Sequence, residues 1–420
     1  MRTQLAGLDE NLLALPLYED HHRFAARRLA GWCQDRSELW EVPTDRAPDV
    51  SGLRILRALG ADGWLAFLDP DAPSSGEAAA SGDGTGTAPG LNGDFRSLCL
   101  AREVLAYADD LADFTFSIQA LAATPIIRYG TEEQKRRYLP PMARGELAGS
   151  FAVTEEASGS DLAAVGLRAE RVPGGYVLDG EKAWIANSGI AGVHCVIART
   201  GEGPGALGLT AFLVPAETGG LSCDRSVRMV APRSLGHLVL DRAFVPDTSV
   251  LGRPGHGFVI ASDVLERFRM TVGAAAVGFA RRAADAAVGH ARERKIYRGS
   301  LFDLPSVKAA LADSEVALNG AALLVARAAW EIDHGRRGYP RHSSIAKLAA
   351  TESAQRIVDA TVQIFGAAGL VADSVPERLY RQIRSLRIYE GASEVQQMII
   401  AGSLDRKPVP PRAPASADAL

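Results

Sequence analysis

Cysteine is scarce in this chain. Cys33, Cys99, Cys195 and Cys223 are the only four in 420 residues. Their spacing makes no zinc or redox motif and no disulfide framework. The eight histidines include no His-Glu-x-x-His, so no metal is expected. Excess positive charge is also missing. Lys and Arg total 46 against 50 Asp and Glu, a net charge of −4, which argues against a grip on nucleic acid. No apolar run is expected to span a membrane. The short run Leu12–Leu17 lies beside acidic residues without a basic leader, so no signal peptide is expected. No βαβ unit carries a GxGxxG, which excludes a Rossmann reading. What remains is an ordinary composition, 47% hydrophobic and 23% charged, with length for two or three domains and a cytoplasmic location as the expectation.

The texture changes along the chain. Residues 1–148 read as a helical domain, with Phe24, Leu29, Trp32, Leu53, Leu56 and Leu59 at mixed three-to-four spacing. It is interrupted by a low-complexity Gly, Ser, Ala and Pro stretch at 69–94, expected to be a mobile loop. Thr131 before Glu132 and Glu133 marks a helix start. Residues 149–252 read as a β domain. Turn pairs Gly174-Gly175 and Asp179-Gly180 separate short β-rich runs, which suggests a small antiparallel barrel or sandwich. Residues 253–405 read as four long Ala-rich helices, a bundle, and 406–420 as a disordered Pro/Ala tail.

Four segments have residues able to carry chemistry. The run AVTEEASGSD over Ala152–Asp161 gathers hydroxyls and backbone amides that could face a carbonyl, a phosphate or a flavin edge; taken alone, it reads more readily as a Ser/Gly turn before a strand. GEKAWIAN over Gly180–Asn187 puts Trp184 in a strand, as an aromatic platform or as core packing. Arg294 and its neighbours close a helix, where cations satisfy the dipole or clamp a diphosphate. Glu390, between Tyr389 and Gly391, is either paired with an arginine or a base with a raised pKa.

Taken together and in order, these segments resemble the acyl-CoA dehydrogenase family of flavoproteins. The resemblance runs from about Ala101 to Leu404. It includes Gly130–Lys135, the Thr154–Asp161 loop, Gly180–Asn187, Phe244-Val245-Pro246, Leu251–Phe258, Arg269 with Gly278, Arg294, Gln363–Gly366, Glu377–Arg381 and Ile388–Gly391. It implies a mainly α fold with a middle β domain and a C-terminal four-helix bundle. It further implies FAD, a homotetramer, an acyl thioester substrate and electron-transferring flavoprotein as acceptor. Residue by residue, it places Val153, Thr154, Trp184 and Ile185 at the flavin ring. Arg294, Tyr297, Gln363 and Gly366 fall on the FAD of a partner subunit. Ser160, Glu266, Arg269, Tyr389 and Gly391 fall at the substrate, and Glu390 on the catalytic base. Some relatives carry the base on the bundle helix, at the position held here by Phe268, which cannot act.

The mechanism that the resemblance implies is removal of the α proton by Glu390 as hydride leaves the β carbon for flavin N5. The Glu390 backbone N–H and a flavin hydroxyl would steady the enolate. Ala186, Ala367, Ala392 and Pro305 depart from common Ser or Thr, Gly, Thr and Gln near FAD. Each lost hydrogen bond costs about 0.5–1.5 kcal/mol, so weaker FAD affinity or a shifted flavin potential is expected. An oxidase or monooxygenase on the same fold is the alternative, which retention of Glu390 disfavours. A non-enzymatic nucleic-acid-associated relative would want a basic C-terminal face, and the tail offers only Arg406, Lys407 and Arg412. Tyr389 and the 114–121 helix are expected to line the acyl pocket. The pieces Ala106–Asp110 and Ala328–Trp330 are similar to members that degrade aromatic or alicyclic acids.

Overall fold

The computed structural model describes residues 7–41, 47–69, 91 and 93–405. Most of the low-complexity stretch at 69–94 and all of the tail at 406–420 lie outside them. The described end of that stretch differs from the expectation of a mobile loop. Leu91 is buried, and Asp94 caps the next helix through Ser97 N at 2.7 Å.

The N-terminal part is helical: α1 (Glu10–Leu13), α2 (Asp20–Asp35), α3 (Glu38–Glu41), α4 (Pro48–Ala61), α5 (Phe95–Ala108), α6 (Asp110–Tyr129) and α7 (Glu132–Ala143). Local chemistry sets their starts. The Asp109 carboxylate takes the Leu111 and Ala112 amides at the head of α6. Thr131 and Gln134 form a reciprocal capping box at α7, at the start read from the sequence.

The middle part is an eight-stranded sheet of β1 (Gly149–Ala152), β2 (Arg168–Val172), β3 (Gly175–Ala186), β4 (Val193–Arg199), β5 (Leu209–Pro215), β6 (Leu221–Ser226), β7 (Leu235–Pro246) and β8 (Val250–Leu251). Its order is β6-β7-β3-β2-β4-β5-β8, with β1 added on β4. The sheet is mixed rather than purely antiparallel. β1 runs parallel to β4, and β2 meets β4 in parallel at Arg168 and Arg199. The sheet carries its own core around Leu178, Val196, Phe212 and Leu240.

The C-terminal part holds three long helices, α8 (Gly257–Glu293), α9 (Pro305–Asp333) and α10 (Tyr339–Phe365). Pro305 sits at the first turn of α9, where its missing N–H costs nothing. The expected fourth long helix is broken into α11 (Val375–Ile383) and α12 (Ser393–Leu404). α8 packs tightly on α5: a Cβ on Gly278 would lie 2.2 Å from Glu103 O, so only glycine permits the approach. Against the expectation, α9 is long and apolar enough to cross a membrane by length and composition; 33% of its apolar window is buried. Val316 and Leu323 lie exposed on it.

Candidate active site

The break between α11 and α12 makes the site. After the turn Arg384–Arg387, the Ile388 and Tyr389 amides both fold back onto Ser385 O. The chain then enters left-handed conformations, Glu390 at φ 54 and Gly391 at φ 92. Glycine adopts this freely, whereas a residue with a Cβ adopts it only when its surroundings enforce it. The Glu390 Oε2 atom is buried without a hydrogen-bond partner. No cation lies within ion-pair distance of this carboxylate among the described residues; Arg387 pairs instead with Glu352 at 2.8 Å. Glu390 as a whole is half-buried. Burial raises its pKa, and Arg102, Lys347 and Arg269 only partly offset this. The Glu390 N–H has no acceptor among the described residues.

Charged groups lie behind this turn. Arg102 meets Asp113 through two hydrogen bonds of 2.8 Å and Thr271 through one of 2.9 Å, all buried. Arg233, from the loop before β7, binds Asp110 and donates to Ser385 Oγ at 2.8 Å. Its guanidinium lies 5.2 Å over Phe114 and 5.6 Å over Tyr389. Arg233 thus lies near both Tyr389 and Phe114, at the start of the 114–121 segment. Burial pushes the Tyr389 hydroxyl up to about 12, against the pull of Arg233 and Arg102. Arg269 is half-buried near Glu390, its Nε buried and unpartnered, and desolvation lowers its pKa. Glu266, one turn before it, gives its carbonyl to Ser343 at 2.9 Å.

On the sheet side, the run at Ala152–Asp161 leaves β1. Val153 is buried, and Thr154 O takes the Ala183 amide at 2.9 Å. Lys182 is buried, with Nζ bound to Val153 O at 2.9 Å and Glu155 Oε1 at 2.7 Å. The register of β3 against β7 shifts between Lys182 and Ile185. That bulge holds Trp184 at φ 54 and leaves it 45% exposed, while Ile185 is buried. Trp184 is thus no core residue. The His237 ring meets it edge-on at 5.9 Å, and His237 Nδ1 is buried without a hydrogen bond. Ser160 is exposed at the end of the loop.

Four candidates lie elsewhere. Arg294 ends α8, and Tyr297, 92% exposed at φ 51, tips the short hairpin that follows. Gln363 and Gly366 are exposed at the end of α10, beside Phe365, which stacks on His290 of α8 at 4.1 Å. Arg294 is twenty-five residues beyond Arg269 on one helix, about 37 Å at 1.5 Å per residue. The structure therefore does not bring these four to Glu390 within one chain. Of the departures noted in the sequence, Ala367 is exposed and Ala392 starts α12 with no side-chain cap.

Sequence reading passed over Arg102, Asp113, Arg233, Asp94 and Lys347. The signal available was charge in apolar context, such as Asp113 inside DLADFTFSIQALAA, but a single sequence does not say which charges turn inward.

Models of three acyl-CoA dehydrogenase domains match the chain in order: the N-terminal domain over 84–146, the middle domain over 150–243 and the C-terminal domain over 255–404. A 3-(aryl)acrylate reductase of Clostridium sporogenes is 37% identical over 75% of this chain and 84% of its own length. The mitochondrial short-chain specific acyl-CoA dehydrogenase of Mus musculus is 33% identical over 89% of this chain and 88% of its own. Among solved structures, butyryl-CoA dehydrogenase from Megasphaera elsdenii superposes with a TM-score of 0.81 at 29% identity, covering 92% of this chain and 99% of that one. A glutaryl-CoA dehydrogenase from Mycobacterium smegmatis, in complex with FADH2, gives a TM-score of 0.80 at 26% identity, covering 93% and 96%. The chain belongs to the acyl-CoA dehydrogenase family, and it is an oxidoreductase.

Proposed function

We propose that the chain catalyses α,β-dehydrogenation of an acyl-CoA or acyl-carrier-protein thioester to the trans-2-enoyl thioester, with FAD as cofactor and Glu390 as the base. The observation that carries this reading is the unpartnered, buried Glu390 Oε2 on an enforced left-handed turn. A carboxylate kept for structure would be neutralised by a partner. One held ready for a proton has a raised pKa and a free oxygen, as here.

The residues suit a flavin. Trp184 offers an exposed indole, and the buried His237 Nδ1 beside it, 4.0 Å from Glu156 Oε1, makes no hydrogen bond. Val153, Thr154, Trp184 and Ile185 would hold the ring. FAD, when bound, supplies the acceptor for the hydride that leaves the β carbon. The protein's own part is to bind the thioester, to donate the free Glu390 N–H to its carbonyl, and to take the α proton on the Glu390 carboxylate. Arg269 and Ser160 would meet the carrier arm, while Tyr389 and Phe114 would bound the acyl group. Arg294, Tyr297, Gln363 and Gly366 would serve the FAD of a neighbouring subunit, since they lie far from Glu390 in their own chain. Exposed Val316, Leu323, Leu370, Val371 and Met398 favour a homo-oligomer, a tetramer by family resemblance. Electron-transferring flavoprotein is the proposed acceptor.

A second reading concerns substrate and direction. Likeness to a 3-(aryl)acrylate reductase, together with the aromatic rings of Phe114 and Tyr389 that both lie near Arg233, favours a 3-arylpropanoyl or 3-arylacryloyl thioester. The test is anaerobic mixing of the flavin-loaded protein with straight-chain, branched and 3-arylpropanoyl-CoA thioesters, read as bleaching of flavin absorbance. Bleaching by any of them supports dehydrogenation, and the best one identifies the acyl class. Failure of all of them, or stoichiometric peroxide in air, would overturn the proposal in favour of another flavin chemistry.

A further inference from the structure

α10 carries a lysine on its inward face. Lys347 is 1% exposed, yet it makes no ion pair among the described residues. Its Nζ donates to two backbone carbonyls, Tyr389 O at 2.6 Å and Gly391 O. These are the carbonyls on either side of Glu390. Gln396 Nε2 adds a further bond to Gly391 O at 2.8 Å. Five residues along the same helix, Glu352 Oε1 receives Arg387 Nε at 2.8 Å and Ser393 Oγ at 2.6 Å. α10 thus grips the turn before, at and after Glu390.

The physics of this grip is specific. Two carbonyl oxygens converging on one interior point repel each other, and a left-handed backbone is unfavourable for glutamate. An ammonium resolves the first conflict and thereby sustains the second. Burying a lone cation is costly, and burial lowers the Lys347 pKa to about 8. A lysine whose only task was packing would be better replaced by an apolar residue.

We propose that Lys347 is a positioning residue for Glu390: its ammonium locks the Tyr389–Gly391 turn that aims the carboxylate, and its charge limits how basic that carboxylate becomes. The proposal rests on the reading of Glu390 as the base. The charged or titratable groups facing Glu390 are Arg102 of α5, Asp113 of α6, Arg269 of α8, Lys347 of α10 and the adjacent Tyr389.

The test uses the full-length, flavin-loaded protein and an acyl-CoA that bleaches the wild type. Lys347→Met keeps the length of the side chain without its charge. Its limiting rate of flavin bleaching is expected to fall roughly 10²-fold, as for a misplacement near 1 Å. The KM is expected to stay near that of the wild type, and the acid limb of the pH–rate profile to move to higher pH. Lys347→Gln keeps N–H donors without charge; it should recover part of the rate but show the same displaced limb. Wild-type rate and pH profile in Lys347→Met would overturn the proposal. So would a slow variant with an undisplaced limb, because the residue would then serve stability alone. If Lys347→Met fails to fold, the limb of Lys347→Gln decides by the same criterion. Glu390→Gln run in parallel separates the two readings: if that variant retains its rate, Glu390 is not the base; if it is dead while Lys347→Met is unaffected, only the positioning role fails.

Discussion

Arg102 and Asp113 form a two-pronged ion pair, both bonds 2.8 Å long, wholly inside the junction of α5, α6 and α8. Because Arg102 also holds Thr271 of α8 at 2.9 Å, the pair ties the N-terminal helices to the bundle beneath Glu390. Removing one partner leaves a buried charge without compensation, which costs about 3–5 kcal/mol. Asp113→Ala should therefore unfold at markedly lower denaturant concentration than wild type. Arg102→Met with Asp113→Leu should recover much of that loss. A single variant as stable as wild type in a urea titration would show that the pair is not the tie described here.

Arg294→Ala tests the division of the cofactor residues between subunits. Since Arg294 is exposed and about 37 Å along α8 from Arg269, its loss should leave the isolated chain folded. It should nevertheless lower FAD occupancy, and added FAD should shift the variant toward the larger assembly, because binding and association are linked. Sedimentation of the wild type as a fully flavin-loaded monomer would refute a shared site.

Asp94 joins α2 to α5. Its carboxylate takes Ser97 N at 2.7 Å and His22 Nε2 at 3.1 Å. Burial pushes its pKa up, but the hydrogen bonds from His22 and Ser97 outweigh this and hold it well below the usual range. A depressed carboxylate stabilises the fold above its unfolded pKa of about 4 and loses that contribution as pH falls toward the folded value. Asp94→Ala should cost about 1–2 kcal/mol at pH 7, and the gap from wild type should narrow below about pH 4. A gap that is constant from pH 7 to pH 3 would mean the charge plays no part.

The fold was largely legible in the sequence because helix periodicity, the helix start at Thr131 and the Gly174-Gly175 turn are local signals; Asp179-Gly180, read as a turn, instead lies inside β3, where the register against β7 shifts. The mixed sheet was not, since β1 joins β4 across forty-odd residues and strand direction leaves no local mark. The break before α12 was missed as a break, although Gly391 was in view, because what enforces it is Lys347, far away in sequence. Trp184 was ambiguous for the same reason. Only the bulge against β7 turns it outward. Arg294 and Gln363 were grouped by the family resemblance alone; the His290–Phe365 stack that brings the ends of α8 and α10 together is a tertiary fact that no local signal carries.

Glu390→Gln is the decisive variant. The amide keeps the shape of the side chain but cannot accept the α proton at neutral pH, so bleaching by substrate should slow by roughly 10²–10⁴-fold while FAD stays bound. Stability gives an independent reading. The folded pKa of Glu390 is raised, chiefly by burial, so over the window from the unfolded value of about 4.3 up to the raised folded value the native state holds more protons than the unfolded one. Stability contributed at this position is therefore present at low pH and lost as pH rises through that window. Glutamine carries no such penalty. Glu390→Gln should match or exceed the wild-type melting temperature at pH 7, with the difference shrinking toward pH 4. A structural ion pair predicts the reverse: a lower melting temperature at pH 7 and an intact rate in the folded fraction. Rapid mixing with an acyl-CoA, paired with melting curves at the two pH values, separates these outcomes. A Gln variant that melts early and still bleaches at the wild-type rate would remove Glu390 from the chemistry.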